Sequence, residues 1–267
     1  MAKGKRVTYA AFTVWLLLML FMGMGIFRLW AGLVQPARVS WALLPGTVVS
    51  EMAYIFGCLI TGGEIHRAKL MPGKGGGKGE GGSEPTTEAS SGLKFIGPLV
   101  AALVSIVACA AAILAVHALL GERIIEAFTA NLHDAKLPKE LPLQFAAFWD
   151  QLEGQVVLLR RMCETWRDLD WLNWRVPLFV YLAACLSIRL APVRRDPRAT
   201  LAAVVVIAGV IALIGTLNSR FDNLMSRLWP LLTYVWANLL FILSASLVLR
   251  GLIALAFVLG GKRPRKG

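Results

Sequence analysis

Hydrophobic residues along this chain are gathered into six long runs, which polar and charged segments separate. A helix needs about 20 apolar residues to cross the hydrocarbon core of a bilayer, and the runs approach or exceed that length, although the second and fourth are interrupted or short. The sequence therefore predicts an all-α, polytopic membrane protein with about six transmembrane helices. The runs cover Tyr9–Phe27, Trp41–Gly62, Gly97–Leu120, Val176–Ala191, Ala199–Leu217 and Leu228–Leu259.

Two of the segments between the runs are long and differ in character. Residues 72–92 are rich in Gly, Ser and Pro, with too few apolar side chains to pack, which predicts a flexible cytoplasmic linker. Residues 121–175 repeat apolar side chains at steps of three or four, which predicts an amphipathic helix in an extracytoplasmic loop. Its apolar face would lie on the membrane or cover the helix bundle. The repeated residues are Phe145, Phe148, Leu152, Val156, Leu159, Cys163 and Trp166.

These patterns divide the chain into five parts. Residues 1–71 hold the first two membrane helices and include a distinctive segment at 44–54. Residues 72–92 form the linker, and residues 93–120 hold the third membrane helix. Residues 121–175 form the helical loop, and residues 176–267 hold the last three membrane helices and a basic tail.

Composition agrees with the membrane assignment and charge gives it an orientation. Hydrophobic residues make up 57% of the chain and charged residues 16%, against about 25% charged in soluble domains, which excludes a disordered or collagen-like chain. The net charge of +12 comes mainly from both termini, the linker region and residues 194–198. Basic residues prefer the cytoplasmic side, so both termini are predicted to be cytoplasmic, in a bacterial inner membrane. The lipid bilayer is then the expected partner of the positive charge, and nucleic acid is not.

Glu51 is the sharpest candidate for chemistry. It lies near the middle of the second apolar run, where a carboxylate is expensive and usually marks either a functional site or a buried polar partner. Arg189, at the end of the fourth run, is a possible partner. The favoured expectation for Arg189 is instead that its side chain extends to the inner membrane interface.

The residues around Glu51 carry a resemblance. Residues 44–54 read LPGTVVSEMAY and are followed by IFGCLITGGEI, which resembles the active-site helix of site-2-protease-like membrane zinc metalloproteases. In that family an HExxH motif supplies two zinc ligands and a general base. The resemblance places Ser50 and Tyr54 at the ligand positions and Glu51 at the base position. A second stretch, YLAACLSIRLAPVRRD, makes Asp196 a candidate, because the family's third ligand is commonly an Asp.

The departure from the family pattern decides the functional expectation. Zinc sites use His, Cys, Asp and Glu, so Ser50 and Tyr54 do not fit, and we expect no zinc cofactor. The leading hypothesis is a non-catalytic pseudoprotease that binds or scaffolds another membrane protein or a second copy of itself. One alternative is an active intramembrane metalloprotease-like hydrolase that uses Glu51. Another is an inner-membrane subunit of a secretion or transport assembly, without protease ancestry.

Overall fold

The computed structural model describes residues 2–34, 36–68, 87–90, 96–132, 137–138, 145–190, 197–217 and 220–259. These residues form nine α-helices, two short strands and one π-turn. The helices are α1 (Ala2–Leu33), α2 (Pro36–Ala42), α3 (Leu44–Ile60), α4 (Ile96–Val116), α5 (Glu122–Asn131), α6 (Phe145–Asp168), α7 (Arg175–Arg189), α8 (Pro197–Leu217) and α9 (Arg220–Leu259).

Four helical segments of the described chain are long and apolar enough to cross a membrane, which indicates an integral membrane protein. They are Ala11–Leu33, Ile96–Asn131, Arg198–Gly215 and Leu224–Ala256. The second and fourth predicted spans correspond to shorter helices, since α3 has 17 residues and α7 has 15. At 1.5 Å per residue these measure about 25 and 22 Å, less than the roughly 30 Å of a hydrocarbon core.

The first and last helices lie side by side and run in the same direction. The rings of Trp15 and Trp236 are 4.9 Å apart, and Trp30 Nε1 donates a hydrogen bond of 2.7 Å to Ser246 Oγ. Because the two contacts advance together along both helices, α1 and α9 are parallel. Two parallel helices that each cross a membrane once place the chain termini on opposite sides. From the helix directions we therefore expect the two termini on opposite sides, whereas charge alone predicts that both are cytoplasmic.

The chain reverses its direction after α1 because the second apolar run is divided into two helices at Leu43. Pro45 is the second residue of α3, a position where its missing N–H costs little. Before the break, α2 returns along α1, since Arg38 and Val39 share a groove with Trp30. The helices α2 and α3 therefore form a hairpin instead of one continuous helix.

The direction of α3 follows from its neighbours. The Ala42 carbonyl accepts hydrogen bonds from Tyr181 Oη at 2.9 Å and from Cys185 Sγ at 3.6 Å. One turn later, Gly46 lies against the Cys185 carbonyl and the Arg189 side chain, so α3 and α7 are parallel. The Ser50–Ser105 and Gly57–Ala101 contacts show that α3 and α4 are antiparallel.

Helix α7 in turn runs parallel to α1. Near the start of α7, the Phe179 ring lies 5.5 Å from the ring of Tyr234 in α9. Tyr234 is two residues before Trp236, which contacts Trp15 of α1. The start of α7 is therefore level with Trp15. Near its end, the backbone at Ile188 lies against Gly23 of α1. Helices α1, α3, α7 and α9 therefore share one direction, and α3 leaves the bundle at the same end as α1.

A two-stranded sheet follows α3. Helix α3 ends where Gly62 adopts a φ of +69°, a left-handed conformation that favours glycine. Strand β1 (Glu64–Ala68) then pairs antiparallel with β2 (Thr87–Ser90). The predicted linker lies outside the described residues except for Thr87–Ser90, which is a strand. Its sequence, TEAS, has no apolar alternation that would have predicted one.

Helix α4 passes into α5 through a π-turn at His117–Gly121. The predicted loop at 121–175 therefore begins with further helix, which continues to Asn131. Gly121 lies against the Phe179 ring, where a side chain would collide with it. The face of α5 that follows is buried through Ile124, Ile125 and Phe128.

The predicted amphipathic helix is α6 (Phe145–Asp168), and the face that it buries lies beside the predicted apolar face. Leu158 and Met162 are buried, whereas Leu152 and Val156 of the predicted face are 44% and 68% exposed. The seven periodic positions lie within a sector of about 80°, beside the face that is buried, so their periodicity alone did not show which face would contact the bundle.

The parallel arrangement of α1 and α9 predicts the result of a reporter experiment. Periplasmic and cytoplasmic reporters fused at residue 1 and after Gly267 should place the two ends on opposite sides of the membrane. Reporters inserted in residues 72–92 should lie on the same side of the membrane as the C-terminal fusion. Reporters inserted in residues 134–142 should lie on the opposite side. Finding both termini on one side would contradict the helix directions described above.

Candidate functional site

The buried face of α3 consists mainly of small residues, and this brings the candidate site close to two other helices. Alanine, glycine and serine side chains allow neighbouring backbones to approach closely in apolar bundles. The opposite face is apolar and exposed at Met52, Phe56, Leu59 and Ile60. The buried residues are Gly46, Thr47, Ser50, Glu51, Ala53, Gly57 and Cys58.

Ser50 is a packing residue of the α3–α4 contact. Its Oγ lies 3.1 Å from Ser105 Oγ, and Ser105 Oγ also lies 3.4 Å from the Ser50 carbonyl. Ser50 is 4% exposed and Ser105 is fully buried. The hydroxyl at the first ligand position of the resemblance is therefore engaged by a neighbouring serine, in a space too narrow for a larger side chain.

Glu51 lies at the border of the buried face. Successive residues of an α-helix are rotated by about 100°, so Glu51 projects to one side of the Ser50–Ser105 contact. Its exposed fraction is 9%, so it faces the bundle interior, as expected from the cost of a carboxylate exposed to lipid. Tyr54, at the second ligand position, is half-buried on the same side of α3.

Arg189 lies inside the bundle. Its exposed fraction is 7%, which differs from the expectation that it extends to the membrane interface. The Nη2 atom donates to Ser40 Oγ at 3.0 Å, and Cζ lies 4.5 Å from the centroid of the Phe27 ring. A hydroxyl acceptor and an aromatic face are both favourable surroundings for a desolvated guanidinium.

The turn between α2 and α3 is bonded by α7. The Ala42 carbonyl stands at the end of α2, where a helix leaves carbonyl groups without intrahelical partners. Tyr181 and Cys185 donate to it from successive turns of α7. This satisfies a backbone group that would be costly in apolar surroundings and attaches the hairpin to α7.

The structure gathers some of the predicted site residues and separates others. Ser50, Glu51 and Tyr54 lie together on α3, while Arg189 contacts α3 at Gly46, more than one turn before Glu51. Asp196 lies outside the described residues. Within the described part of the chain, no three His, Cys, Asp or Glu side chains are close enough together to hold a metal ion.

Sequence reasoning missed the partners of the candidate residues. Ser105, Ser40 and Tyr181 are polar residues in or beside apolar runs, and none was considered. The spacing of small residues could have predicted the contact between α3 and α4. Ser50, Ala53 and Gly57 lie on one face of α3. Ala101 and Ser105 lie on one face of α4.

A buried polar pair in α9 was also missed. Asn238 and Tyr234 are fully buried, one helical turn apart. The Asn238 amide atoms and the Tyr234 hydroxyl have no hydrogen-bond partner among the described residues. A lone Asn in the apolar Leu224–Ala256 segment was the sequence signal for this position.

Comparison with protein-family models, with curated proteins and with solved structures found no match for this chain.

The close α3–α4 contact predicts that Gly57 tolerates no side chain. A Cβ at Gly57 would lie 2.6 Å from Ala101 Cα, so Gly57→Ala must push the two helices apart. We expect a loss of about 1–3 kcal/mol, typical of overpacking, measured as earlier thermal unfolding of the purified protein in detergent. Gly209→Ala is the matched control, since a Cβ there meets nothing within 4 Å. Equal stability of the two variants would show that α3 and α4 are farther apart.

Proposed function

We propose that this protein is a non-catalytic integral membrane protein that binds or scaffolds another membrane protein. The observation that supports the proposal best is the contact between Ser50 and Ser105, with Oγ atoms 3.1 Å apart. The segment that resembles a protease helix is used here for helix packing. We propose that its resemblance to site-2-protease-like enzymes reflects a degenerate pseudoprotease core.

The chemistry of the α3 side chains supports this proposal. A catalytic zinc needs three protein ligands from His, Cys, Asp or Glu. The first ligand position is a serine bonded to Ser105, and the second is the half-buried Tyr54. Only Glu51 keeps a residue type that the reaction would use, and in the family's mechanism that base acts on a metal-bound water.

The apolar outer face of α3 supports a binding role. Met52, Phe56, Leu59 and Ile60 are 51–60% exposed on this 17-residue helix. The face lies directly behind the closely packed small residues, so a partner helix could be held there by a rigid support. Another membrane protein or a second copy of this chain is the partner class that we propose for this face.

A hydrolase remains the second candidate because Glu51 is buried in an apolar helix. A buried carboxylate at this depth is expensive and is usually retained for function. In that case Glu51 would act as a base in a site unlike the family's. A subunit of a secretion or transport assembly is the third reading, and the exposed α3 face is compatible with it.

We propose that the end of the bundle where α3 and α9 finish faces the cytoplasm of a bacterial inner membrane. Basic residues in short segments set orientation. Residues 61–95, 190–198 and 250–267 contain 13 Lys and Arg, against five in residues 1–10 and 218–227. With α1 and α9 parallel, this orientation places the N-terminus outside, although it carries Lys3, Lys5 and Arg6.

The pseudoprotease proposal predicts the metal content of the protein. Protein purified without chelators should contain well under one zinc per chain, because two of the family's ligand positions hold poor ligands. Elemental analysis of the wild type measures this directly. Stoichiometric zinc that disappears in Glu51→Gln or Asp196→Asn would overturn the proposal.

Replacement of Glu51 distinguishes a structural residue from a base. If Glu51 is structural, Glu51→Gln should give normal protein yield and a normal phenotype, since the amide can reuse most of the hydrogen bonds of a carboxyl group. Glu51→Leu should lower the yield, because it leaves neighbouring polar groups without a partner. A Gln variant with wild-type abundance and a null phenotype would favour the hydrolase.

A further inference from the structure

Helix α6 presents three different surfaces around its circumference. One faces the helix bundle, one is charged and exposed, and one is apolar and exposed. At 100° per residue, the apolar exposed surface covers about 60° and lies between the other two. We call it the outer stripe, and it consists of Trp149, Leu152, Val156 and Cys163.

The bundle-facing surface fixes the position of α6. Leu158, Met162 and Thr165 are buried. At one end of the contact, Trp236 Nε1 donates to Gln155 Oε1, and at the other the rings of Trp166 and Phe241 are 4.6 Å apart. Both contacts are made with the part of α9 that is apolar enough to cross a membrane, Leu224–Ala256.

The charged surface is suited to water. Arg160 and Arg161 both pair with Glu164, at 3.0 and 2.8 Å, and the Arg160 side chain is 81% exposed. The hydrogen bonds from the two arginines, Arg161 first, lower the pKa of the Glu164 carboxyl. Exposed pairs of this kind contribute little to stability, but they keep this side of α6 hydrated.

We propose that α6 lies in the membrane–water interface, with its outer stripe against lipid acyl chains. A helix attached to a membrane-crossing helix on one side and charged on another can only meet lipid on the surface between them. The outer stripe supplies Trp149, 62% exposed, and Val156, 68% exposed, and indole rings prefer this interface. This inference rests on the protein's residence in a membrane, and not on the pseudoprotease proposal.

The segment after α6 also exposes large apolar side chains. Trp171, Leu172 and Trp174 are 44%, 98% and 64% exposed, and Trp171 is held in place by a hydrogen bond of 2.6 Å from Nε1 to the Trp166 carbonyl. Residues 145–175 contain four Arg and five acidic residues. Because this charge is nearly balanced, burial of the apolar stripe, and not attraction to anionic headgroups, should drive the contact.

The native Cys163 makes the proposal testable in the full chain. Cys163 is exposed in the outer stripe, while Cys58, Cys109 and Cys185 are buried. A nitroxide on Cys163, in phosphatidylcholine–phosphatidylglycerol vesicles, should collide with oxygen more often than with a water-soluble nickel complex. The same label on Val156→Cys in a Cys163→Ser background should behave alike. The Cys163→Ser variant without a new cysteine measures how much label reacts with the three buried thiols.

Two controls calibrate the measurement. Glu153→Cys, on the charged surface, should give an oxygen-to-nickel ratio several-fold lower than Cys163. Leu252→Cys, in the exposed apolar part of α9, should give the ratio of a lipid-facing site. If Cys163 matches Glu153→Cys while Leu252→Cys still reads lipid, the inference fails but the protein is in the membrane. If neither oxygen nor the nickel complex collides with the label on Val156→Cys, a protein covers the outer stripe and the inference also fails.

Discussion

The close approach of α3 to two neighbouring helices is the constraint on which the rest of the bundle depends. Gly46 lies against the α7 backbone and Gly57 against the α4 backbone, on one face of the same helix. A side chain at either glycine would collide with the neighbouring helix, so α3 could not contact both neighbours as closely. The hairpin of α2 and α3 could not then reach the Tyr181 and Cys185 donors that bond its turn.

The burial of Arg189 is a second consequence of the same packing. The guanidinium contacts Ser40 from α2 and Phe27 from α1, so α1, α2 and α7 meet at this side chain. A charge inside an apolar bundle is costly, and a hydrogen bond and an aromatic face both reduce that cost. Arg189 therefore links the hairpin to the first membrane helix, and its charge makes that link specific for a hydroxyl and an aromatic face.

The sequence predicted where the helices begin and end better than it predicted which helices pack against each other. Apolar content predicted α1, α4, α8 and α9, because the preference of a segment for lipid is a local property, and periodicity predicted α6. Neither predicted the break at Leu43 or the direction of α3, because direction depends on which helices a segment meets. The inward position of Glu51 was predictable from the cost of an exposed carboxylate. The Ser50–Ser105 contact was not, since it joins residues 55 positions apart.

The π-turn at His117–Gly121 rotates α5 about the helix axis relative to α4. A π-turn contains one residue more than an α-helical turn, which rotates everything after it by about 100° relative to an uninterrupted helix. In this register Phe128 meets the Tyr234 ring, 5.3 Å away. Loss of one residue here would leave a regular helix of almost the same composition, but with Phe128 turned away from α9. The length of this turn, more than the identity of its residues, sets the phase of the following helix.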